Sequence, residues 1–114
     1  MTIRELIKER QNEVLKSKDL MPARAAEILV ELSALIGNCL DEIRNRDLEY
    51  NRVLLHFYQT EEKANRAKIR AESTQEYEAK REARDTKELV IEIIRSIKYF
   101  LRDKEEERRQ SGSM

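Results

Sequence analysis

Between positions 63 and 70 the chain places cations and no anion: Lys63, Arg66, Lys68 and Arg70. On a helix advancing about 100° per residue, Arg52, His56, Lys63, Arg66 and Arg70 fall within a narrow sector. An unbroken helix would add Tyr77, Arg81 and Arg84 to it. Cations aligned along phosphates with a ring available for stacking are what single-stranded nucleic acid requires of a protein surface. Lys63, Arg66, Lys68, Arg70, Arg81 and Arg84 are therefore the candidate phosphate contacts and Tyr77 the candidate stacking residue. A plainer reading competes: Glu61, Glu62, Glu72, Glu78 and Glu82 lie close by, and a charge-dense helix can be merely solvated or paired with another subunit. Tyr50, Phe57 and Tyr58 read as core or subunit interface.

Other chemistry is poorly served. The only glycines are Gly37 and Gly112, so there is no phosphate-cradling loop. One cysteine and one histidine cannot build a thiolate or imidazole metal cluster within a chain. His56 has Glu49 and Glu61 within reach in sequence but no nucleophile beside it, and reads as a polar residue flanking the core. Cys39 reads as a small buried hydrophobe. Asp41, Glu42, Glu61, Glu62, Glu76 and Glu78 include the spacings with which helical nucleotide pyrophosphatases hold magnesium. Acids alternating with bases, as in "DEIRNRDLE", instead describe solvated faces with i,i+4 pairs. The expectation is a non-enzymatic protein without cofactor or metal; a magnesium-dependent hydrolase stands as a third reading.

The elements that must position these residues are helices. The 114 residues are 40% charged and 5% aromatic, with two Gly and one Pro, a composition of long helices in a single domain. Equal numbers of acids and bases leave no net field to attract a polyanion from afar. A lone cysteine and no apolar run of spanning length suggest a soluble cytoplasmic protein. Thr2 and Glu5 have capping-box spacing and open a first helix over 1–18, striped by Ile3, Leu6, Ile7, Val14 and Leu15. "SKDLMP" ends it, and Pro22 suits the first turn of a long helix over 22–72.

Along that helix Leu29, Leu32, Ile36, Cys39, Ile43, Arg46, Tyr50, Val53 and Phe57 form a heptad seam. Its phase holds across Gly37, so the helix is expected to pass through the glycine; a break at "GN" is the alternative. The seam then shrinks to Thr60, Ala64, Ala67 and Ala71, which either admit a close neighbour or leave the helix exposed. Ser73 and Glu76 mark an interruption, and Asp85 with Glu88 marks the start of a final helix. Residues 73–104 thus comprise a charged segment and an amphipathic helix, and 105–114 a polar, fraying tail. Leu89, Val90, Ile93, Ile94, Ile97, Phe100 and Leu101 stripe the last helix and are assigned to homo-oligomerisation.

An apolar helix ("AEILVELSALIGNCLDEI"), a basic, alanine-rich stretch with a tyrosine ("KANRAKIRAESTQEY") and an amphipathic C-terminal helix ("ELVIEIIRSIKYFLRD") follow one another over residues 26–102. This layout resembles that of UvsY-type phage recombination mediators. The resemblance implies a small, helical, oligomeric, non-enzymatic protein that binds single-stranded DNA and helps to load a recombinase. It departs from that family in its balance of acids and bases. The reading is an all-α, extended helical hairpin or coiled-coil-like body with a long central helix and a C-terminal oligomerisation helix. Its partners would be copies of itself and single-stranded nucleic acid or a nucleic-acid enzyme, without a membrane; a helical protein-binding adaptor, scaffold or inhibitor is the alternative.

Overall fold

A computed structural model describes residues 2–16 and 19–112. Met1, Ser17, Lys18, Ser113 and Met114 lie outside the described residues, and with them the ends assigned to the first helix and to the tail. Four helices and no strand occur among the described residues: α1 (Ile3–Lys16), α2 (Pro22–Thr60), α3 (Ala64–Ala71) and α4 (Gln75–Gly112). The all-α class and the long central helix are as the sequence reads.

Local signals account for several boundaries. The Glu5 amide donates to Thr2 Oγ1 at 3.1 Å, capping α1. Pro22 is the first residue of α2, where its missing donor costs nothing. The helix runs without interruption through Gly37, at which an added Cβ would meet nothing within 4 Å. Gly37→Ala should therefore stabilise the isolated chain by about 1 kcal/mol, the intrinsic helix preference of alanine over glycine, measured by urea denaturation at low protein concentration.

Three boundaries differ from the sequence reading. The long helix ends at Thr60 instead of 72: Thr60 Oγ1 bonds back to the His56 carbonyl at 3.1 Å, and the Glu61 amide closes the last turn on Phe57 O. Lys63 then takes an extended conformation and starts α3 without a side-chain cap. The interruption near residue 73 is present but shifted, because Thr74 rather than Ser73 caps α4, accepting from the Tyr77 amide at 3.3 Å. Ser73 Oγ instead bonds back to Ile69 O at 3.0 Å. Nothing breaks at Asp85, and the polar stretch from 105 to 112 is helical. Asp85 and Glu88 are simply exposed residues one turn apart.

The chain divides into two compact units. The first comprises residues 1–37 and 88–114, so it joins α1, the front of α2 and the back of α4. Its buried residues are Ile7, Ala25, Ile28, Leu32, Val90, Ile93, Ile94 and Ile97. The C-terminal stripe assigned to oligomerisation lies in this unit. Val90, Ile93, Ile94 and Ile97 are buried in their own chain, and Leu89, Phe100 and Leu101 are partly covered. Arg24 clamps Glu13 across the α1–α2 pair with Nε–Oε1 2.6 Å and Nη2–Oε2 3.1 Å, and Arg10 Nε reaches Glu31 at 2.6 Å.

The hydrogen bonds from Arg24 hold the Glu13 carboxyl below its usual range. A depressed folded-state value means that this contribution is complete above the unfolded carboxyl value and disappears as pH falls through the folded one. Acid titration of the Arg24→Gln variant should accordingly show a smaller loss of stability below about pH 4.5 than the parent, from a lower starting level.

The second unit, residues 38–87, joins the back of α2, α3 and the front of α4. Its core is small: Cys39, Tyr50, Ala67, Ala71, Ala83 and the hydroxyl-bearing Thr86. Burial pushes the Cys39 thiol up, with Glu42 adding to it, which leaves an inert thiol at neutral pH. The stretch from 61 to 85 is less bare of core than its composition suggests. Ala67 and Ala71 are fully buried and Ala83 nearly so, because small side chains let helices approach closely.

Candidate nucleic-acid interface

The three parts of the proposed cationic surface sit in different settings within the second unit. The first is α3. Its buried face is Ala67 and Ala71, one turn apart, which turns Lys63, Arg66, Lys68 and Arg70 to solvent. Arg70 Nη1 meets Glu61 Oε1 at 3.0 Å, and the Glu61 side chain is only 15% exposed against 60% for Arg70. Glu61 ties α3 back to the end of α2, so Arg70 is partly neutralised. Lys63, Arg66 and Lys68 form no ion pair among the described residues. Ile69, 64% exposed, stands between Lys68 and Arg70.

The second part is the first turns of α4, and here the side chains are engaged. Tyr77 stacks obliquely on Tyr50 of α2, ring centroids 5.4 Å apart at 46°. Lys80 Nζ lies 4.4 Å from the Tyr50 centroid, giving that ring a cation as well as an aromatic neighbour. Burial raises the Tyr50 hydroxyl above the usual phenol range. Arg81 covers Tyr77 at 5.9 Å. Arg84 Nη2 donates to Asp47 Oδ2 at 2.7 Å, while Asp47 Oδ1 is buried with no hydrogen-bond partner.

The third part was to come from α2, with Arg52 and His56 continuing the stripe. The break at 61–63 separates that helix from α3, so the common sector required of an unbroken helix does not exist. His56 makes an edge contact with Phe57 instead, at 5.5 Å.

The structure thus gathers Lys63, Arg66, Lys68 and Arg70 on one exposed elbow and sets Tyr77 and Arg84 against α2, with Arg81 over the Tyr77 ring. Sequence reasoning missed Asp47, Glu61 and Tyr50 as the groups that occupy Arg84, Arg70 and Tyr77. Only Glu61 carried a signal, as one of the acids just before the cationic run. Among the described residues no three His, Cys, Asp or Glu side chains are grouped to hold a metal ion. Among the same residues no helix is long and apolar enough to cross a membrane.

What these observations define is a class: an all-α protein with a cationic helical elbow on its surface. Comparison with sequence-family models, curated proteins and solved structures finds no match to this chain.

Proposed function

We propose that this protein is a non-enzymatic helical binding protein whose α3 elbow contacts the phosphate backbone of single-stranded nucleic acid. The observation that carries the reading is the exposure of Lys63 at the start of α3 and of Arg66 and Lys68 within it, with no carboxylate paired to them among the described residues. Arg70 adds a fourth cation once its exposed bond to Glu61 opens. Tyr77 faces Tyr50, so binding rests on charge and not on base stacking, and is indifferent to sequence. A role as a recombination accessory of the mediator type agrees with the order of helical parts and rests on that layout alone.

Ile69 favours a second reading. An exposed isoleucine flanked by Lys68 and Arg70 also suits an acidic, partly apolar segment of a protein partner, as an adaptor would require. Ile69→Ser separates the two: it leaves oligonucleotide binding unchanged on the first reading and weakens partner binding on the second. Titrating the protein into a labelled single-stranded oligonucleotide and following anisotropy tests the first reading directly.

A further inference from the structure

The outer face of α2 carries a run of exposed apolar side chains. Val30, Leu40, Leu48, Leu55 and Tyr58 are 69%, 46%, 51%, 56% and 45% exposed. They follow one another at multiples of helical spacing, on the side of α2 away from the buried Ile28, Leu32, Cys39 and Tyr50. In a chain that is 40% charged, the only charges interrupting this stripe are Asp41 and Arg44. Gly37 lies in the same stripe, and nothing in its own chain calls for a glycine: its φ is not positive, and a Cβ there would touch nothing.

We propose that this face is an interface between two copies of the chain, with α2 packed antiparallel on α2 about a two-fold axis beside Glu42 and Ile43. The occupant is specified by self-complementarity, as an isologous contact demands. In that register Asp41 of each copy faces Arg44 of the other, giving two symmetric opposite-charge pairs at the centre. Gly37 faces Leu48 and Val30 faces Leu55, so the smaller residue of each pair meets a larger one along the seam. A parallel pairing would set Asp41 on Asp41, Arg44 on Arg44, and glycine on glycine.

The area is adequate but modest. From 26 to 58 the stripe runs about 48 Å at 1.5 Å per residue, and a helix pair of that length buries on the order of 1,000 Å² in total, the lower end for a specific interface. The dimer should therefore be a reversible, micromolar one. The inference is independent of nucleic-acid binding, since α3 contributes nothing to it.

The test is the weight-average mass of the full chain by sedimentation equilibrium from about 1 µM to about 500 µM, a range that brackets weak association. Dimerisation is expected, weakened at least about tenfold by Leu48→Glu with helical content unchanged, because Leu48 is exposed in the single chain. Asp41→Arg alone and Arg44→Asp alone should each weaken the dimer several-fold, and the two together in one chain should restore it. A chain that stays monomeric throughout would overturn the proposal, as would a dimer insensitive to Leu48→Glu. A dimer weakened by Leu48→Glu yet unaffected by either single charge change would overturn the antiparallel register.

Discussion

Replacing Ile97 with alanine should destabilise the protein by about 3 kcal/mol, within the range of roughly 2–5 for an aliphatic side chain truncated in a core. Ile97 is fully buried in the first unit together with Ile7, Ile28, Leu32 and Val90. The loss combines the transfer of about three carbons with whatever cavity the neighbours fail to close. Tyr99, two residues further along α4, is 63% exposed, with the Arg102 guanidinium 5.6 Å from its ring. Tyr99→Ala should shift stability by no more than about 0.5 kcal/mol. Urea denaturation of both variants checks the contrast. Equal small effects would mean that the stripe on α4 does not line the chain's own core.

Reversing the charge at Lys63, Arg66 and Lys68 together, each to glutamate, should weaken binding to single-stranded oligonucleotide by at least about tenfold. Lys63 precedes α3 and Arg66 and Lys68 lie on opposite sides of it, all three exposed and without an ion pair among the described residues, so fold and helical content should be unaffected. Arg84→Ala should behave differently. It removes the 2.7 Å bond to Asp47 and leaves a carboxylate whose Oδ1 already lacks a partner. Its effect should fall on stability, with binding nearly unchanged. If instead Arg84→Ala abolished binding and the α3 triple variant did not, the contact surface would lie on α4.

Much of the fold is legible in the sequence because helical periodicity is a local property. The seam from Leu29 to Phe57 keeps its phase across Gly37, and α2 passes through that glycine accordingly. Pro22 and Thr2 mark helix starts by chemistry that any helix end needs. The break at 61–63 was not legible, since the alanine seam continues in phase beyond it. What ends α2 there is tertiary: α3 turns to bury Ala67 and Ala71, with Glu61 holding Arg70.

The burial of the stripe from Leu89 to Leu101 raises a different difficulty. Periodicity shows that a face is apolar but not whose core it enters, and the chain itself supplies the partner through Ile7, Ile28 and Leu32. The candidate site divides in the same way. The exposed cations of α3 could be read from their run without anions. The engagement of Tyr77 and Arg84 depends on Tyr50 and Asp47, 27 and 37 residues away, and no local pattern reports such a meeting.

The most direct measurement is the affinity of the parent protein for a fluorescent single-stranded oligonucleotide at about 50 and about 200 mM salt, chosen because counterion release sets the slope. With three phosphate contacts and a slope near −0.7 per contact, affinity should fall by about 20-fold over that interval. Micromolar binding with that loss is the result expected of the α3 elbow. No binding at the lower salt would contradict it, and would direct attention to a protein partner at Ile69.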